Sequence, residues 1–285
     1  MSKFINPFTD YGFKLIFGRE VSKILLIEFL NDLLEGERVI TDLTFLNNEQ
    51  LPDYPEGRGI IYDVYCTTDT GEKIIVEMQN RMQSNFKERS IFYLSRAIVN
   101  QGRTGHDWKF EIKAVYGVFL MNFIMDKNIK LRTDVILADK ETGELFSEKF
   151  RQIFIALPLF KKSEEECETN FERWIYILNN METLKRLPFK ARKAVFEKLE
   201  EIADVASMSP KERELYDNSV KVYRDYLVTM DAAEKEGIKK GMEEGLKKGL
   251  EEGLEEGLKK GLKKGREEAL NIFQTAIDMK KQGID

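Results

Sequence analysis

Histidine and cysteine are nearly absent from this chain: His106, Cys66 and Cys167 are its complete complement. Two thiols cannot build a disulfide framework or a thiolate zinc site, and one imidazole removes paired-His metal sites and His relays. Long apolar runs are missing too. None approaches the ~18 residues that a membrane span requires. The opening MSKFINPFTD carries no apolar core of the kind a secretory signal needs, so the expected compartment is the cytoplasm, with no membrane partner. No G-x-x-x-x-G-K-[ST] phosphate loop occurs. Excess positive charge is also lacking, since 45 Lys and Arg face 50 Asp and Glu for a formal charge of -5. That balance does not announce a nucleic-acid binder, although a cleft needs only local positive charge. One segment supplies such a bias. Arg81, Lys87, Arg89, Arg96, Arg103, Lys109 and Lys113 stand against Glu88, Asp107 and Glu111.

The pattern along the chain predicts an α/β domain followed by a helical region. Residues 1–18 read as a loop with a short helix. Ile24, Leu25, Leu26, Phe29, Leu30 and Leu33 give a core-facing helix over 21–34, ended by Gly36. Strands are expected at 38–46, 61–66, 74–79, 111–120, 131–140 and 151–160, with a helix over 81–98. From Glu164 the chain reads as helical. At Gly237–Gly265 a glycine recurs at every fourth position, each costing a helix about 1 kcal/mol relative to Ala. Opposite charges at i,i+4, such as Lys239 with Glu243, return a few tenths of a kcal/mol each. Four-residue spacing also turns the leucine line through ~240° between Ile238 and Leu262, which spoils a straight heptad seam. The expectation is a frayed, solvated helix, or a weak element for homo-oligomerisation. Paired Lys and Glu at every turn exclude burial in lipid.

The chemistry concentrates in IYDVYCTTDTGEKIIVEMQN, residues 61–80. Alternation places Ile61, Asp63 and Tyr65 on one face of the first strand, and Tyr62, Val64 and Cys66 on the other. In the second strand Ile75, Glu77 and Gln79 share a face. With Gly71 taking the positive-φ position of the turn, paired residues sum to 140 and Asp63 stands opposite Glu77, with Cβ atoms ~5 Å apart. Facing carboxylates repel, and more so as water is excluded. A hard divalent cation such as Mg²⁺ relieves that repulsion, acidifies a water and offsets charge on a phosphodiester. Gln79 could orient that water or a phosphate oxygen, but is no general base at neutral pH. Acids on a solvated hairpin face explain the same pattern, and a one-residue slip would separate the two.

Several stretches carry a resemblance: NPFTDYGFKLIFG at 6–18, IEFLNDLL at 27–34, IYDVYC at 61–66, IIVEMQN at 74–80, RSIFYLSRAIVNQGRTG at 89–105 and WIYIL at 174–178. Together they resemble the Rpn-type recombination-promoting nucleases and transposases of the PD-(D/E)XK nuclease superfamily, over about residues 1–180 and again in the charged repeat. The resemblance implies a restriction-endonuclease-like core with a mixed central sheet flanked by helices, plus a helical C-terminal region. It implies domains at 1–160 and 161–230 and an extension at 231–285, partly helical or disordered. It also implies a DNA endonuclease dependent on Mg²⁺, with Mn²⁺ as substitute. Asp63, Glu77 and Gln79 fall at the catalytic positions, Gln79 replacing the commoner lysine of E-x-K. Asp63 and Glu77 would hold the ion, with Glu28 of the first helix as a further ligand.

Other residues carry weaker signals. Arg89, Tyr93 and Arg96 form an i, i+4, i+7 line suited to phosphate contacts, with surface salt bridging as the plain alternative. Gln101 would touch DNA or cap that helix. Glu28 could belong to a polar stripe with Asn31 and Asp32. Asp10 reads as an N-cap and Lys14 as a surface residue. His106 reads as a structural or exposed turn residue. Trp108 and Trp174 read as packing residues, and Cys66 as a buried inert thiol. The competing functional reading is a catalytically inactive nuclease fold that binds DNA or assembles.

Overall fold

The computed structural model describes residues 2–51, 58–103, 105, 108–189 and 193–281. The reading of His106 therefore lies outside the described residues. Thr9 opens helix α1 (Asp10–Phe17), its hydroxyl accepting from the Gly12 amide at 3.0 Å. The N-cap is thus Thr9 and not Asp10, whose carboxylate turns to Lys14 at 2.7 Å. Helix α2 (Lys23–Leu33) buries Leu25, Leu26, Ile27, Phe29, Leu30 and Leu33. Ile24, expected on the same face, stays exposed.

The strands are β1 (Leu43–Phe45), β2 (Glu49–Gln50), β3 (Ile60–Ile61), β4 (Val64–Thr68), β5 (Lys73–Gln79), β6 (Val115–Met121), β7 (Arg132–Ala138) and β8 (Leu145–Ala156). Six of them form one sheet in the order β1-β4-β5-β6-β8-β7, and β2 pairs with β3 separately. β5, β6 and β8 run parallel and the remaining pairings are antiparallel, so the sheet is mixed. Helix α3 (Phe86–Val99) is the crossover that joins parallel neighbours β5 and β6.

The two faces of the sheet carry separate cores. On one, Val64, Val76 and Val118 pack with α1, α2, α4 (Asn170–Asn180) and α5 (Val195–Ala203). Trp174 of α4 is fully buried there, which suits the packing role read for it. On the other face, Tyr65, Ile75, Phe119 and Phe154 meet Phe86, Leu94 and Ala97 of α3. Burying each such large apolar side chain contributes about 1.5–3 kcal/mol. Gly117 of β6 makes this close approach feasible, because an added Cβ would lie 2.5 Å from Leu94 Cδ1. The architecture is an α/β fold consistent with a restriction-endonuclease-like core.

Helix α6 spans Pro210–Lys281. The chain divides after Tyr223, and the second unit, from Arg224, consists of this helix. The glycine repeat is helical throughout. Ion pairs one turn apart line it, Lys240 with Glu236 and Lys260 with Glu256, each at 2.7 Å. Leu246, Leu250, Leu254, Leu258 and Leu262 are all exposed. No described helix is long and apolar enough to cross a membrane.

Candidate active site

The β4–β5 hairpin has the register read from the sequence: Val64 pairs with Val76 and Tyr65 with Ile75. Gly71 takes φ +94° in the turn, where a side chain would strain the backbone. One residue before β4 the alternation breaks. β3 stops at Ile61 and β4 starts at Val64, so Tyr62 joins Tyr65 in the α3-side core rather than Val64 and Cys66 as expected. An irregular backbone at 62–63 removes the strand period that the expectation assumed.

That irregularity brings Asp63 onto Glu77. The Asp63 amide donates to Glu77 Oε1 at 3.0 Å, and the Met78 amide donates to Asp63 Oδ2 at 2.9 Å. Each carboxylate thus has one oxygen anchored by the backbone. Asp63 Oδ1 and Glu77 Oε2 take no hydrogen bond among the described residues. Glu77 is 3% exposed, whereas Asp63 is half-buried. Burial pushes the Glu77 carboxyl well above the usual carboxylate range, and the charge of Asp63 adds to it. Asp63 is raised as well, chiefly by burial, against the pull of the Met78 amide.

Two cations face the pair. Arg89 of α3 donates from Nε to the Tyr93 hydroxyl at 2.9 Å and from a terminal nitrogen to Gln83 Oε1 at 3.1 Å. Its guanidinium also lies 4.9 Å from the Tyr93 ring centre. Lys14 of α1 is the other. Both charges favour ionised Asp63 and Glu77, but neither makes an ion pair with them among the described residues. The sequence reading left Lys14 at the surface. No local pattern in the sequence signals it, because the end of β5 meets the entry of α1 through long-range contacts such as Asn80 Nδ2 to the Phe8 carbonyl at 2.6 Å.

Gln79 is 8% exposed and its amide donates weakly to the Arg81 carbonyl at 3.4 Å. Glu28 is placed elsewhere. It pairs with Lys193 at 2.7 Å, and the same ammonium reaches Asp32 at 2.5 Å, while Trp174 Nε1 donates to Asp32 Oδ2 at 2.9 Å. Arg96 donates to the Leu51 carbonyl at 2.8 Å. Gln101 spends its amide on the main chain, accepting from the Lys113 amide at 2.8 Å and donating to the Lys113 carbonyl at 3.1 Å. Cys66 is buried among apolar side chains, and burial pushes its thiol up to about 12. Of the expected site residues, then, Asp63, Glu77, Arg89 and Tyr93 come together.

Among the described residues no group of three or more His, Cys, Asp or Glu is arranged to hold a metal. Two carboxylates, each with one unengaged oxygen, fit a Mg²⁺-type ion, which takes one or two protein carboxylates and completes its shell with water and phosphate oxygens.

An acid pair made by Glu77 of β5 and by Asp63, just ahead of β4 in a mixed sheet, agrees with what the family comparison finds. The model of the PD-(D/E)XK nuclease family transposases matches residues 7–233. The chain belongs to this family. The match spans α1, the hairpin with Asp63 and Glu77, the α3 crossover and the later helices up to the start of the repeat. Membership in the PD-(D/E)XK nuclease family supports a nuclease-type function. No curated protein and no solved structure matches the chain.

Proposed function

We propose that the protein is a divalent-metal-dependent DNA endonuclease that hydrolyses phosphodiester bonds, working in recombination or on mobile elements. The observation that carries this reading is the Asp63–Glu77 pair. Two carboxylates held together by backbone bonds, one of them nearly enclosed, have no cation at bonding distance among the described residues. A bound divalent ion, Mg²⁺ with Mn²⁺ as substitute, supplies Lewis-acid charge to the phosphate and lowers the pKa of water.

The side chains do the rest. Asp63 and Glu77 would hold the ion, and the backbone bonds to one oxygen of each fix how both carboxylates are presented. Gln79, on the same face of β5 as Glu77, orients an oxygen of the substrate or its attacking water through the amide. Arg89, held by Tyr93 and Gln83, contacts a phosphate, with Arg96 further along α3 and Gln101 just beyond its end supporting the Lys113 main chain. Glu28 stays with Lys193. Both cysteines are free and buried, in keeping with a reducing compartment, and we place the protein in the cytoplasm. The exposed leucine line of α6 supports self-association through the 231–285 extension, beyond a nuclease-like domain at 1–160 and helices at 161–230.

The test is cleavage of supercoiled plasmid with Mg²⁺, with Mn²⁺ and with EDTA, by wild type and Glu77→Ala. Cleavage that needs the ion and falls at least ~100-fold in the variant supports the reading. One observation favours a second reading, an inactive nuclease fold that binds DNA: position 79 is Gln where an ammonium would assist. Wild type that binds DNA yet never cuts it with either ion would establish that alternative.

A further inference from the structure

At the turn end of β5, away from Gln79, lies a second feature that the acid pair does not use. A cleft of about 540 Å³ is lined by Lys73, Gln101, Arg103, Trp108, Glu111 and Lys113 along with neighbouring backbone. Three cations face one acid. None of the three makes an ion pair among the described residues, and burial lowers the Lys73 pKa. A partly buried ammonium without a counter-ion is costly, and an anion in the cleft would offset that cost.

The cleft also carries aromatic surface. Trp108 does not enter either core, contrary to the packing role read for it, but lies against Phe110 with ring centres 4.5 Å apart. Phe110 is 76% exposed and takes φ +57°, a left-handed conformation unusual for an aromatic residue. The Lys113 chain lies over Gly71, where an added Cβ would stand 3.3 Å from Lys113 Cε. Gln101 pins the Lys113 main chain on both sides, so the cationic wall and the end of α3 are tied together.

We propose that this cleft binds single-stranded nucleic acid, with an unpaired base on the Trp108–Phe110 rings and backbone phosphates on Lys73, Arg103 and Lys113. A duplex hides its base faces in the stack, whereas exposed aromatic rings beside unpaired cations suit a strand whose bases are free. Lys73 shares its strand face with Glu77, ~13 Å away at the rise of a β-strand. A strand in the cleft therefore lies within two or three nucleotides of the acid pair. The inference takes from the nuclease reading only the class of partner.

Trp108 and Trp174 are the sole tryptophans, and Trp174 is fully enclosed, so quenching of the accessible emission reports on Trp108. The experiment titrates the full chain, in EDTA, with a short oligodeoxythymidine and with an abasic oligomer of equal length. Intrinsic fluorescence and anisotropy of the labelled strand are both read. Oligodeoxythymidine should quench, and should bind about 5- to 150-fold more tightly than the abasic strand, the range for loss of one stacked base. Trp108→Ala should abolish that preference while Trp174 emission keeps its native position. Lys73→Gln with Lys113→Gln should reduce the slope of log affinity against log salt by ~0.7 per lost phosphate contact. Absence of quenching, equal binding of the abasic strand, or an unaltered preference in Trp108→Ala overturns the proposal. Plasmid cleavage with Mg²⁺ is independent of these readouts. Cleavage without strand binding removes the cleft proposal alone, and binding without cleavage removes the nuclease reading alone.

Discussion

The main-chain amide of Asp63 donates a 3.0 Å hydrogen bond to the Glu77 carboxylate. Because that amide is part of the irregular link between β3 and β4, the backbone itself holds the second acid against the first. The pair stores an electrostatic cost that a ligand can relieve.

That cost has a pH signature. Both carboxyls titrate above their unfolded values, so the native state binds protons more readily than the unfolded chain. Stability is then highest at low pH as far as this pair is concerned, and is lost as pH rises through the folded pKa values. Glu77→Gln should remove the loss and raise the melting temperature at neutral pH by a few degrees, the shift that ~1 kcal/mol gives in a domain of this size. Thermal melts of both proteins across the acid-to-neutral range check this. A variant no more stable than wild type above pH 7 would contradict it.

Arg89 tests the electrostatics from the cationic side. Its charge favours the ionised form of both acids. Arg89→Ala should therefore raise the proton affinity of the pair and move the rising limb of the pH–rate profile to higher pH. Increasing Mg²⁺ should move that limb back, since ion and proton compete for the same oxygens. A profile that keeps its midpoint and only loses amplitude would limit Arg89 to substrate binding.

How much of this was legible in the sequence depends on the range of the interaction. The hairpin register could be read because Gly71 fixes a local turn and the strands alternate around it. Core positions of α2 followed from helical spacing, Ile24 excepted. Tyr62 was misplaced because period-two reasoning fails where the strand breaks. Glu28 was read as a metal ligand or part of a polar stripe, because its partner Lys193 lies far along the chain and no local pattern announces such a pair. Trp108 was read as a packing residue on residue type alone, and the lysines around its cleft come from different elements.

Glu28 and Lys193 provide a control. Lys193 sits between two carboxylates and beside the buried Trp174, so Lys193→Ala leaves like charges facing each other and should cost about 1–3 kcal/mol of stability in denaturant melts. Glu28→Gln should lose only the weaker half of that arrangement and leave ion affinity unchanged. An altered Mn²⁺ affinity in Glu28→Gln would restore this glutamate to the metal site.

The most direct measurement is Mn²⁺ binding to the full chain without nucleic acid, read by electron paramagnetic resonance. Wild type should take up one ion in this region, with affinity rising as pH increases. Asp63→Asn and Glu77→Gln should each lose at least ~10-fold in affinity, and the double variant should bind no Mn²⁺ there. Equal uptake by wild type and the double variant would contradict a cation shared between these two acids.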